Sequence, residues 1–127
     1  MENQLIIDTL NQLIEEERFD YAQQIVFQNS HLHNNVEFND AYATLLYLLD
    51  KYEMALNVLD YNIHLILHKK YNEQWLNTSY FQLANCYAAL GNSSEAEKYY
   101  DLCLTEQEKF ELGVEFFRSN TKSSLAV

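Results

Sequence analysis

The stretch Ser79–Leu104, SYFQLANCYAALGNSSEAEKYYDLCL, decides how the rest of the chain is read. It holds Gly91, one of only two glycines in the chain, between two halves that each carry apolar residues at helical spacing. Tyr80, Leu83, Ala84 and Tyr87 recur at intervals of three and four, so they share one face of a helix, and Leu90 continues it. Gly91 ends that helix, because glycine enters the left-handed conformation of a C-terminal cap without steric penalty. Asn92, Ser93 and Ser94 offer capping side chains for a second helix, with Glu95 three residues after Asn92 as in a capping box. Ala96, Tyr99, Tyr100 and Cys103 form the next apolar stripe. The stretch predicts a helix, a tight turn and a returning helix. Small residues let the two backbones approach, so Ala84 and Ala96 are expected to face each other near the turn, with Tyr87 and Tyr100 filling the space beside them.

The pattern recurs upstream. AYATLLYLLDKYEMALNVLDYN, residues 41–62, places Tyr42, Ala43 and Leu46 on one helix, and Ala55 and Leu59 at the spacing of Ala96 and Tyr100. Asp50 is read as the cap of its second helix, with Glu53 three residues on. IIDTLNQLIEEERFDYAQQIVFQN, residues 6–29, is a third copy, with Asp20 and Gln23 in the capping arrangement and Val26 following Ala22. The anchor alanines Ala22, Ala55 and Ala96 lie 33 and 41 residues apart. Periods of that size mark solenoids of helical hairpins.

Tyr80-x-x-Leu83-Ala84-x-x-Tyr87 followed by Ala96-x-x-x-Tyr100 resembles the tetratricopeptide repeat. The match is closest there, weaker over 36–63 and weakest over 3–30. The family's closing proline is absent, which lets the second helix of each pair run on. The 41-residue interval implies longer helices around His64 to Asn77, similar to the longer repeats of kinesin light chains and bacterial peptide-pheromone sensors. The resemblance implies an all-α fold: a right-handed solenoid of about three hairpins plus a C-terminal capping helix. Helices are expected at about 3–17, 20–30, 37–49, 52–70, 73–90 and 94–107. A seventh, at about 108–118, carries Phe110, Val114 and Phe117 and would cover the open face of the last pair. Residues 1–118 then form one domain, and 119–127 a flexible tail.

Composition agrees with this reading. The chain has 127 residues, enough for one domain with a core, and 48 % of them are hydrophobic. It has no proline, which argues against turn-rich sandwiches and barrels. No apolar run reaches the roughly 18 residues of a membrane span, and the first residues lack the basic start of a signal peptide. Cytoplasmic location is expected, with Cys86 and Cys103 as buried thiols rather than a disulfide. The net charge of −11 favours solubility, repels nucleic acid and anionic membranes, and could attract a basic partner. The run Glu15-Glu16-Glu17 is read as a solvated surface beside Arg18.

No catalytic constellation is visible. Two distant glycines, Gly91 and Gly113, exclude a phosphate-cradling loop. His64 and His68 are four apart on one helix, but Leu65, Ile66 and Leu67 lie between them and no third ligand is evident; His31 and His33 are placed in a loop. Neither metal nor cofactor is expected. Trp75, the only tryptophan, is expected where the second pair meets the third.

The stacked hairpins would leave a concave groove lined by the first helix of each pair. One turn from the inward stripe stand Thr78, Phe81, Gln82, Asn85 and Ala88. Aligned on the anchor alanines, Asn85 corresponds to Thr44 and Asn11, a polar row, with Tyr47 beside it. Amides both donate and accept, so such a row can bracket an extended peptide. The resemblance implies that Asn85 contacts bound peptide. Family members that grip a C-terminal carboxylate carry basic residues near that asparagine. Here Phe81 and Gln82 stand instead, which predicts a polar-aromatic groove. The structural set is Ala22, Ala43, Ala55, Ala84, Tyr87, Gly91, Ala96 and Tyr100. The expected function is non-catalytic binding of a protein or peptide. Its variants are an adaptor, a small acidic bacterial secretion-type chaperone, and a pheromone-sensor domain without its DNA-binding part. Self-association is also expected to be open to it, through apolar ends that another copy could cover.

Overall fold

The computed structural model describes residues 2–69 and 73–104; the expected helix at 108–118 and tail at 119–127 lie outside the described residues. Six α-helices account for most of what is described: α1 Glu2–Glu15, α2 Phe19–Gln28, α3 Val36–Leu48, α4 Tyr52–Lys69, α5 Glu73–Ala89 and α6 Ser93–Leu104. No strand occurs among the described residues. The described residues are all-α.

Three turns of one design join the helices into pairs. Gly91 has φ +82°; its N–H donates to Ala88 O, and the next N–H, of Asn92, donates to Tyr87 O. This crossed pair of bonds satisfies carbonyls that the end of a helix leaves open. Asp50 (φ +60°) and Glu17 (φ +58°) hold the same conformation. Their bonds match: Asp50 N–H to Tyr47 O with Lys51 N–H to Leu46 O, and Glu17 N–H to Ile14 O with Arg18 N–H to Leu13 O. In each copy the left-handed residue stands five positions before the anchor alanine.

Two caps read from the sequence are corrected by this geometry. Asp50 terminates α3 instead of capping α4, its side chain accepting from the Tyr52 hydroxyl at 2.7 Å. Asp20 lies inside the first turn of α2, which starts after Arg18 with no side-chain cap. At the third turn half of the expected capping box forms: Glu95 N–H donates to Asn92 Oδ1 at 3.2 Å, but the Asn92 N–H goes to Tyr87 O and not to the Glu95 carboxylate. His31 and His33 belong not to an irregular loop but to a 3-10 helix, Ser30–Asn34. It shortens α2 and delivers Asn35, whose Oδ1 accepts from Phe38 N–H at 3.0 Å and starts α3.

Packing follows chain order: α1 meets α2 and α3, α3 meets α2, α4 and α5, and α5 meets α4 and α6. Within the second and third pairs, alanines meet at the close approach. Ala43 and Ala55 are fully buried in one cluster with Leu46, Leu59 and Leu83, and Ala84 and Ala96 in another with Tyr100. In the first pair Leu10 takes the place of the first alanine and packs with Ala22. The long α4 and α5 answer the 41-residue interval. Leu65, Ile66 and Val36 form a cluster there against which Trp75 packs, as expected of it.

A polar bond also repeats. Asn62 Nδ2 on α4 donates to Val36 O at 3.1 Å, and 41 residues on, Cys103 Sγ donates to Asn77 O at 3.5 Å. Cys86 and Cys103 are buried and not joined in a disulfide, and burial pushes the Cys86 thiol up to about 12.

Candidate functional site

Because α3 packs on both α1 and α5, side chains one turn from the core stripe on all three helices belong to a common face. Two long-range bonds stitch it. Gln4 Nε2 on α1 donates to Glu37 Oε2 on α3 at 3.4 Å, and Gln82 Nε2 on α5 donates to Asp40 Oδ1. Every expected groove residue is found on these helices, in different states of engagement. Asn11 is exposed. Thr44 and Thr78 turn their hydroxyls back onto their own helices, donating to Asp40 O at 3.1 Å and Gln74 O at 3.0 Å. Tyr47 is half-buried, its ring edge-on to Tyr52 with centroids 5.4 Å apart, and burial raises its phenol. Phe81 lies 5.9 Å from the Tyr100 ring. The Tyr100 hydroxyl, at the tip of a fully buried ring, donates to Asn85 Oδ1 at 2.6 Å. The core thus orients the Asn85 amide from below.

Asp40 is the residue that sequence reasoning missed. Its counterparts at the same register are Ile7 and Phe81, so an acid stands where the other copies carry apolar side chains. That exchange was the available signal. Burial pushes its carboxyl up to about 6; the Gln82 bond pulls the other way, and nearby Glu37 adds to the rise. Among the described residues no cation pairs with it; Arg18–Glu16 and Lys98–Glu95 are ion pairs elsewhere, both exposed.

A second feature lies on the other side of α3. An open groove of about 600 Å³ runs between α2, the 3-10 helix and the start of α4. Val26, Tyr42, Leu45, Leu46 and Leu49 are its apolar lining. Gln23, Gln24 and Gln28 contribute from α2, Ser30 and His33 from the 3-10 helix, and Lys51 from the turn before α4. Phe27 and Met54 line it too, although Phe27 is 86 % exposed. The side of the 3-10 helix is pinned by a buried amide network. Asn39 Nδ2 donates to His33 O at 2.7 Å and to Asn62 Oδ1 at 3.3 Å. Asn39 Oδ1 only accepts, so its 3.3 Å contact places a proton on His33 Nδ1.

The histidine rings on α4 are close but tilted, with His64 and His68 centroids 4.0 Å apart, planes 33° from parallel, and His68 Nδ1 against His64 O. Among the described residues no three His, Cys, Asp or Glu side chains come together as metal ligands. No described helix is long and apolar enough to cross a membrane.

The chain matches no family model, no curated protein and no solved structure. Its reading rests on its own geometry.

Proposed function

We propose that this chain is a non-catalytic protein-binding module: a short right-handed solenoid of tetratricopeptide-like hairpins whose concave side, formed by α1, α3 and α5, holds a segment of another protein. The observation that carries the reading is the threefold turn at Glu17, Asp50 and Gly91, each five residues before a buried alanine. One structural unit used three times is how helical-hairpin solenoids build an extended binding face. That a solenoid of this kind binds protein is an argument from architecture. Localisation in the cytoplasm fits two reduced, buried thiols.

The face suggests what the partner brings. Asp8, Glu37 and Asp40 stand on it with Asn11 and Asn85, and Asp40 is a half-buried carboxyl held only by an amide. A lysine or arginine of the bound segment would supply the missing cation, and Tyr47 and Phe81 would meet its apolar side chains. Affinity capture followed by mass spectrometry identifies the partner, and titration of the purified pair tests the site. Asp40→Asn and Asn85→Ala should each weaken the complex about tenfold or more, as loss of one partner of a desolvated polar pair does. Undiminished affinity in both variants would move the interface off this face.

A further inference from the structure

We infer that the groove between α2 and α4 is a self-association site, in which Phe27 of one copy fills the groove of a second copy and the second copy's Phe27 fills the first. The partner is another molecule of this chain, related by a two-fold axis.

Three observations converge. First, knob and hole share one surface. Phe27 is the most exposed large hydrophobic residue described, at 86 %, and it stands beside a groove floored by Val26, Leu45 and Leu46. Met54, 48 % exposed, flanks it. An isologous interface needs a patch that complements itself, and a projecting ring beside an apolar hollow does so.

Second, the charge favours a like molecule at this place. The chain carries 19 acidic residues and a net charge of −11, so two copies repel over most of their surfaces. None of the described residues lining the groove is Asp or Glu, while Lys51 and His33 do line it. It is a place where two such acidic molecules can touch without opposing carboxylates.

Third, the fold shows what a filled interval looks like. One unit further on, Tyr87 and Tyr99 lie stacked between α5 and α6, with centroids 5.7 Å apart and planes 5° from parallel, packed onto the Leu59–Leu83 cluster. Shifted by 41 residues, their counterparts are Leu46 and Val58. Leu46 lines the groove, so the ring that Tyr87 supplies in the next interval is replaced there by a smaller side chain, and an aromatic ring from outside fills the difference.

Sedimentation equilibrium of the full chain, up to about 100 µM, tests the proposal. The wild type should approach twice its 15.0 kDa mass, and added salt should strengthen association by screening the repulsion. Phe27→Ser should weaken the dimer at least about 30-fold, the effect of losing a central anchor. Because Phe27 is exposed, the variant's circular dichroism and melting at low concentration should match the wild type. Gln24→Glu together with Gln28→Glu, which puts two carboxylates into the lining of each groove, should have the same effect without touching the apolar floor. A wild type that stays monomeric throughout overturns the proposal, as does a dimer that ignores both variants. A groove that binds only an unrelated protein also overturns it. Partner binding by Asp40→Asn and Asn85→Ala variants is read separately, so either conclusion can fall without the other.

Discussion

Single residues carry the sharpest consequences. Glu17 and Gly91 occupy equivalent left-handed positions, but only glycine adopts that conformation without strain. Glu17→Gly should therefore stabilise the fold by about 0.5–1 kcal/mol, and Gly91→Ala should destabilise it by about 1 kcal/mol. A Cβ at Gly91 meets nothing within 4 Å, so the second effect is purely one of backbone strain. Thermal melts of the two variants should shift in opposite directions. Asp40 gives a pH dependence. Its carboxyl, about 6 when folded against 3.8 for the free group, is destabilising once ionised. Stability on its account is greatest below 3.8 and falls as pH rises to about 6. Asp40→Asn should abolish this fall and raise stability at pH 7 by up to about 3 kcal/mol, measured by urea unfolding across that range. A residue that weakens the fold yet strengthens partner binding would be one kept for its charge.

At the scale of the helix pair, the close approach of backbones is the controlling feature. Ala96 is fully buried against Ala84 and Tyr100, so Ala96→Leu should destabilise by about 1–3 kcal/mol and lower the melting temperature. Unchanged melting would mean that α5 and α6 do not meet at those alanines. This packing was legible in the sequence because the alanine spacing and Gly91 both announce it. The turns at Asp50 and Glu17 were not, because an acidic residue in a left-handed conformation carries no compositional mark and resembles an N-cap. Their meaning emerges only when each is placed at the same distance from its alanine as Gly91. The 3-10 helix escaped for a related reason: the amide network of Asn39 and Asn62 that holds it joins residues 23 apart. Ser79 shows the repeat imperfectly kept. It stands where Phe38 stands one unit earlier, and its hydroxyl is buried without a hydrogen-bond partner.

For the whole molecule, the helical class and the positions of the helices were readable, since periodicity and the absence of proline both restrict the chain to short turns between rods. The wiring around the expected polar row was not readable. That Gln82 would reach Asp40, or Tyr100 the oxygen of Asn85, depends on how neighbouring helices are set against each other. The open groove was beyond reach of any local pattern. It arises from what α2 and α4 fail to fill between them, and an unfilled space has no residue of its own.

Trp75 gives the molecule a built-in optical gauge. Its indole is the sole strong ultraviolet emitter, and it rests on Val36, Leu65 and Ile66, at the seam between the second and third pairs. Fluorescence will therefore follow the parting of that seam alone, while far-ultraviolet ellipticity follows all the helices together. If the wavelength maximum drifts red before ellipticity is lost, the third pair detaches as a unit; if the two change in step, the stack melts as one body.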